Sequence, residues 1–126
     1  MTETSGDPLA PFDDEILETV AAEYGVDVGR LRRVVRRHQE LVARLPGVED
    51  VVYEWRKQFP SDPVVERRPD AYYLSVAASV WPEYVAALEL EESDAQALQA
   101  VHGRQLAATV GDEPTGDRGP MVLARR

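Results

Sequence analysis

Glycine and proline cut this chain into pieces of helical length, and the apolar residues inside each piece recur with a helical period. The strongest stops are Gly25, Pro46-Gly47, Pro60 with Pro63, and the run from Gly111 to Pro120. Glycine takes the left-handed turn that ends a helix, and proline cannot continue one. Before Gly25, Ile16, Leu17, Val20 and Tyr24 fall on one face. Asp13 is placed as an N-cap, Asp14 and Glu15 complement the helix dipole, and Phe12 with Leu17 forms a hydrophobic staple. The same syntax repeats at once. Asp27 can cap a second helix with Val26 and Leu31 as its staple, and Val28, Leu31, Val34, Val35, His38, Leu41, Val42 and Leu45 hold the period until Pro46. Val51, Val52, Trp55 and Phe59 predict a third helix over about Val48 to Phe59.

The middle of the chain reads differently. Val64-Val65, the turn Arg68-Pro69-Asp70 and the alternation of Tyr72, Leu74, Val76 against Tyr73, Ser75, Ala77 suggest a β-hairpin. A continuous helix from Asp70 to Leu90 competes with it, but Pro82 would then lie deep in the interior at a cost of roughly 3 kcal/mol. With Ser79 as N-cap, Pro82 falls in the first turn of a helix from about Val80 to Leu90, where its missing N–H loses no bond. A last helix runs from a Ser93/Gln96 capping box through Leu98, Val101 and Leu106 to Gly111. Residues 1–11 read as a flexible arm and 111–126 as a loop or tail, whose Met121-Val122-Leu123 could dock as an edge strand or stay disordered. The expected fold is mainly α: a single small helical domain over 12–110, with an N-terminal helix-turn-helix-like pair and a minor β-hairpin.

Composition narrows the function. At 126 residues with 44% hydrophobic content, the chain can bury a core without a metal or a disulfide. The absence of cysteine excludes a thiolate metal site and a cysteine nucleophile. No apolar stretch approaches the roughly 18 residues needed to span a bilayer, and the acidic start lacks a basic leader region, so a cytoplasmic protein without a membrane partner is expected. The formal charge of -9 argues against indiscriminate coating of nucleic acid. Its distribution is uneven: residues 1–27 carry eight acids and no base, whereas 28–46 carry Arg30, Arg32, Arg33, Arg36, Arg37 and Arg44 against Glu40 alone.

The segment from Leu17 to Arg36, LETVAAEYGVDVGRLRRVVR, resembles the helix-turn-helix of DNA-binding regulators. Val20 and Ala21 stand where the helices approach, Gly25 where the turn needs a positive φ, and Val26, Leu31 and Val34 where the second helix locks on the first. The resemblance implies that the second helix enters the major groove, probing bases and phosphates with Val28, Gly29, Arg30, Arg33 and Arg37, and that the protein binds DNA as a homodimer. The same apolar positions also suit a purely structural helical hairpin, whose arginines meet the neighbouring acids within the fold or across a dimer. Over its whole length, from PFDDEIL through VVYEWRKQF and VWPEY to VHGRQ, the chain resembles small uncharacterised haloarchaeal proteins, which implies no particular activity.

No glycine-rich phosphate loop, nucleophile elbow or metal-binding helix is present, so no catalytic residue, cofactor or metal is expected. His38 lies on the apolar stripe of the second helix and reads as a buried imidazole with one hydrogen bond. Together with His102 and Glu40 or Asp94 it could form a site only if the fold gathers them. The aromatic middle third offers the alternative to DNA: Tyr53, Trp55, Tyr72, Tyr73 and Trp81 are either core or an anchor patch for an unknown protein partner. The two functions differ in one respect. DNA binding needs Arg30, Arg33 and Arg37 exposed together with the acids elsewhere; an interaction module needs them paired, with Glu15, Glu18 or Glu23, and an apolar patch exposed.

Overall fold

The computed structural model of the chain describes residues 7–111, 114 and 118–125. Their order is α1 (Asp14–Tyr24), α2 (Val28–Arg44), α3 (Val48–Gln58), β1 (Val64–Arg67), β2 (Ala71–Val76), α4 (Val80–Leu88), α5 (Glu92–Val110) and β3 (Gly119–Ala124). The protein is mainly helical with a minor β part, and that part is a three-stranded antiparallel sheet rather than a hairpin, in the order β1-β2-β3.

The first three helices follow the local syntax closely. Gly25 sits at φ 68 and returns its N–H to Ala21, and the Asp27 carboxylate accepts from the Arg30 N–H to cap α2. Asp13 occupies the N-cap position of α1 without a side-chain cap; its carboxylate accepts instead from Gln105 Nε2 of α5 at 3.3 Å, while its N–H donates to Gln105 Oε1 at 2.8 Å, so tertiary bonds replace the local one. The Ser93/Gln96 capping box does not form. α5 starts at Glu92, so Ser93 is already helical, and Gln96 bonds to Glu92 instead. Pro82 falls in the first turn of α4.

The sheet needs the C-terminal segment. β2 is the middle strand, pairing Glu66 with Tyr73 and Arg67 with Tyr72 on one side, and Tyr72 with Leu123 and Leu74 with Met121 on the other. The expected tail therefore contains a strand whose Met121, Val122 and Leu123 are fully buried. The expected arm is also partly ordered: Pro8 and Pro11 are buried, and Asp7 reaches Arg36. Residues 1–6 of that arm and 112–113, 115–117 and 126 of the tail lie outside the described residues. One core joins Leu17 and Val20 of α1, Leu31 and Val35 of α2, Leu74 of β2, Leu98 and Leu106 of α5 and Leu123 of β3, all at most 1% exposed.

Candidate functional site

The outer edge of β3 shows how the fold disposes of unpaired strand atoms. In a ladder, alternate residues turn their N–H and C=O away from the neighbouring strand; here those residues are Pro120, Val122 and Ala124. Pro120 has no N–H, and its carbonyl accepts from Trp81 Nε1 at 2.8 Å. The Val122 N–H donates to His102 Nδ1 at 2.9 Å. The Val122 carbonyl accepts from Gln39 Nε2 and the Ala124 N–H donates to Gln39 Oε1, both at 2.8 Å. One buried glutamine amide thus supplies the donor and the acceptor that a further strand would offer, and the β3 edge is sealed. Gln39 was not singled out in the sequence. Its signal was a polar residue four after Val35 and three before Val42, on the buried side of α2.

His38 and His102 do meet, with ring centroids 5.2 Å apart and planes perpendicular. Neither is exposed at all, and Trp81 packs against both, with Tyr84 against His38 and Phe12 against His102. Because His102 Nδ1 accepts from a backbone N–H, its proton resides on Nε2. The Nε2 atoms of both imidazoles are buried without a hydrogen-bond partner. Burial pushes His38 from its ordinary 6.5 down to about 3, and burial together with His38 pushes His102 well below its ordinary value. Glu40 is exposed and Asp94 is engaged elsewhere, so neither carboxylate joins the pair.

The arginines of α2 do gather. Arg30, Arg33 and Arg37 line one groove of about 350 Å³ with Val34, Leu90 and the acids Glu89, Glu91 and Asp94. Arg30 grips Asp94 through Nε at 3.0 Å and Nη2 at 2.6 Å, a two-pronged pair whose carboxylate is buried, and also reaches Glu91 at 3.5 Å. Arg37 donates to the Leu88 carbonyl at the C-terminal end of α4. On the other flank Arg32 pairs with Asp14 and Glu18, and Arg36 with Asp7. Among the described residues Arg33 alone of these five has no ion pair or hydrogen bond. The acids that meet Arg30 therefore come from the α4–α5 corner, not from α1 as the sequence suggested; Glu23 pairs with Arg104 of α5 instead. Gly29 and Val28, the other two residues carried over from the helix-turn-helix, are half-buried, and a Cβ on Gly29 would come within 3.0 Å of the Asp27 carboxylate.

The aromatic patch is corrected by the fold. Trp55, Tyr72, Tyr73 and Trp81 are at most 8% exposed, because β2 is the central strand and both tryptophans point into the core. Tyr53 is the exception at 62%. It stands on the rim of a groove of about 560 Å³ between α3 and the β1–β2 face, with Val52, Val64 and Tyr72 contributing apolar surface and Glu49, Asp50, Arg56, Asp62 and Arg67 contributing charge. The Tyr72 hydroxyl bonds to Glu49, which also pairs with Arg125 at 3.1 Å, and Arg56 pairs with Asp62 at 3.3 Å.

β1 borders this groove, and its edge is not sealed like that of β3. Arg68 exchanges both backbone bonds with Ala71, so the alternation turns the N–H and C=O of Arg67 outward. Val64 stands opposite Leu74, which faces β3, so its carbonyl also points outward, while its N–H donates to Asp62 Oδ1 at 3.0 Å. A bulge between Val64 and Glu66 shortens the edge and puts Val64 and Arg67 on the same face as Tyr72. No group of three or more metal-ligating side chains occurs among the described residues, and no helix is long and apolar enough to cross a membrane.

No curated protein and no solved structure shows significant similarity to this chain. A family model does match it, over residues 10–125, a span that contains every helix and strand described above. The chain accordingly belongs to the family described as a domain of unknown function, DUF8048.

Proposed function

We propose that this protein acts by binding rather than by catalysis, as a protein–protein interaction module whose docking surface is the face between α3 and β1. The observation that carries this reading is Tyr53, a 62% exposed aromatic on the rim of a 560 Å³ groove that runs beside an open strand edge. Aromatic and arginine side chains around a partly apolar depression are what protein interfaces enrich, since a rigid ring buries much area at little entropic cost and a guanidinium offers several donors in a fixed fork. Arg67, which has no carboxylate partner among the described residues, supplies a second anchor.

The arrangement of α2 supports the same reading. A duplex approaching the helix would face carboxylates on both flanks, Asp14 and Glu18 on one and Glu89, Glu91 and Asp94 on the other. Arg30 and Arg37 would have to release buried or backbone partners before contacting phosphate, and little would offset the loss. The imidazoles that could have served as acid and base are sealed in the core.

Quantitative capture with the full chain beside Tyr53→Ala and an Arg33→Ala/Arg37→Ala double variant tests this, with genomic DNA fragments across a salt series as a parallel arm. A partner recovered by the parent and the double variant but reduced roughly ten-fold or more with Tyr53→Ala is expected. Capture indifferent to Tyr53 would overturn the proposal, and a fragment-selective DNA complex lost in the double variant would overturn it in favour of DNA binding through α2.

A further inference from the structure

The α3–β1 face carries marks of self-complementarity. Its open backbone atoms are one donor, the Arg67 N–H, and two acceptors, the Arg67 and Val64 carbonyls. A second β1 laid antiparallel with Arg67 opposite Val64 uses these atoms twice: each Arg67 N–H donates to the Val64 carbonyl of the other copy. That register also places Arg67 of each copy diagonally across from Asp62 of the other, on the groove face, because Asp62, Val64 and Arg67 all line it. Opposite charges therefore meet in both symmetry-related positions, and the exposed Tyr53 rings of the two copies add area beside the strands. Other registers are worse. Placing Arg67 on the two-fold axis sets two guanidinium groups face to face and, because of the bulge, brings Pro69, which has no N–H, opposite Val64.

We infer that the occupant of the α3–β1 face is a second copy of this chain, joined through β1 into a six-stranded antiparallel sheet with two-fold symmetry. The inference rests on the interaction reading above and names its partner. The strand is short and bulged, with two inter-copy backbone bonds, so the contact falls in the weak, reversible class of interface. The β3 edges, closed by Trp81, His102 and Gln39, end the sheet on both sides and stop it from growing into a fibre.

The test is sedimentation velocity on the full chain from about 1 µM to about 1 mM, the range expected for a weak interface. It is run beside Arg67→Asp and Asp62→Arg, each checked for an unchanged circular dichroism spectrum. The parent is expected to pass from monomer to dimer across that range, and each single variant to stay monomeric. An equimolar mixture of the two variants should recover the dimer, because both diagonal pairs then join opposite charges again, one as in the parent and one with its signs reversed. A parent that stays monomeric throughout, variants that dimerise like the parent, or a mixture that fails to recover the dimer would each overturn the inference. A monomeric parent that still shows Tyr53-dependent capture would sink only the second copy as occupant; capture that ignores Tyr53 would sink the interaction reading itself.

Discussion

Gln39 bonds to β3 as a neighbouring strand would, and its removal measures how much that edge needs sealing. Gln39→Leu keeps the volume but leaves the Val122 carbonyl and the Ala124 N–H buried without partners. A loss of about 2–4 kcal/mol is expected from orphaning two such groups, read as a lower urea midpoint. Glu89 acts in the opposite direction. It ends α4 at φ 54, the left-handed conformation that costs a side-chain-bearing residue about 1 kcal/mol, so Glu89→Gly should stabilise the fold by about 0.5–1 kcal/mol. A thermal midpoint that falls on that substitution would mean that the Glu89 side chain makes a contribution larger than its strain. The residue scale was only partly legible in the sequence. His38 was read as buried from its place on the apolar stripe. Gln39 could not be given a role, nor the Trp81 indole N–H a partner, because their partners lie 83 and 39 residues away along the chain and no local spacing encodes such a bond.

At the scale of elements, legibility followed the strength of local signals. α1, α2 and α3 carry caps, staples and stops within a turn of their ends, and they stand within a residue of where those signals put them. β3 carries no such signal. Met121-Val122-Leu123 is too short a run for any period, and glycine and proline precede it, so the segment is a strand only because β2 lies waiting for it with Leu74 and Tyr72. Truncation after Gly111 should therefore do more than trim a tail. It uncovers β2 and removes the partners of Gln39, His102 and Trp81, and the truncated chain is expected to lose its fixed tertiary structure, seen as collapsed amide dispersion in an NMR spectrum. A truncated chain with native dispersion would show that the helices alone hold the core. The same dependence shows at α2: Leu17 to Arg36 carries the local signals for how α1 meets α2, but Asp94, which meets Arg30, comes 64 residues later in α5.

For the whole molecule, two neutral imidazoles in one core tie stability to pH. His38 titrates at about 3 when folded against 6.5 ordinarily, and His102 is shifted the same way. Between those values the unfolded chain binds protons that the folded chain excludes, so stability is complete above pH 6.5 and falls as the pH drops through the window toward 3. Each histidine contributes a slope of up to about 1.4 kcal/mol per pH unit. His38→Phe, which keeps a ring against Trp81 and Tyr84, is expected to cut the slope of the urea midpoint between pH 6.5 and 5 by about half; an unchanged slope would place the proton uptake elsewhere. The molecule as a whole presents one sealed sheet edge and one open one, and the open one borders the proposed docking face. Amide hydrogen exchange at a low micromolar concentration tests that asymmetry most directly. Val122 and Ala124 are expected to exchange only through global unfolding, and Arg67 to exchange orders of magnitude faster. Comparable rates at the three amides would contradict the account.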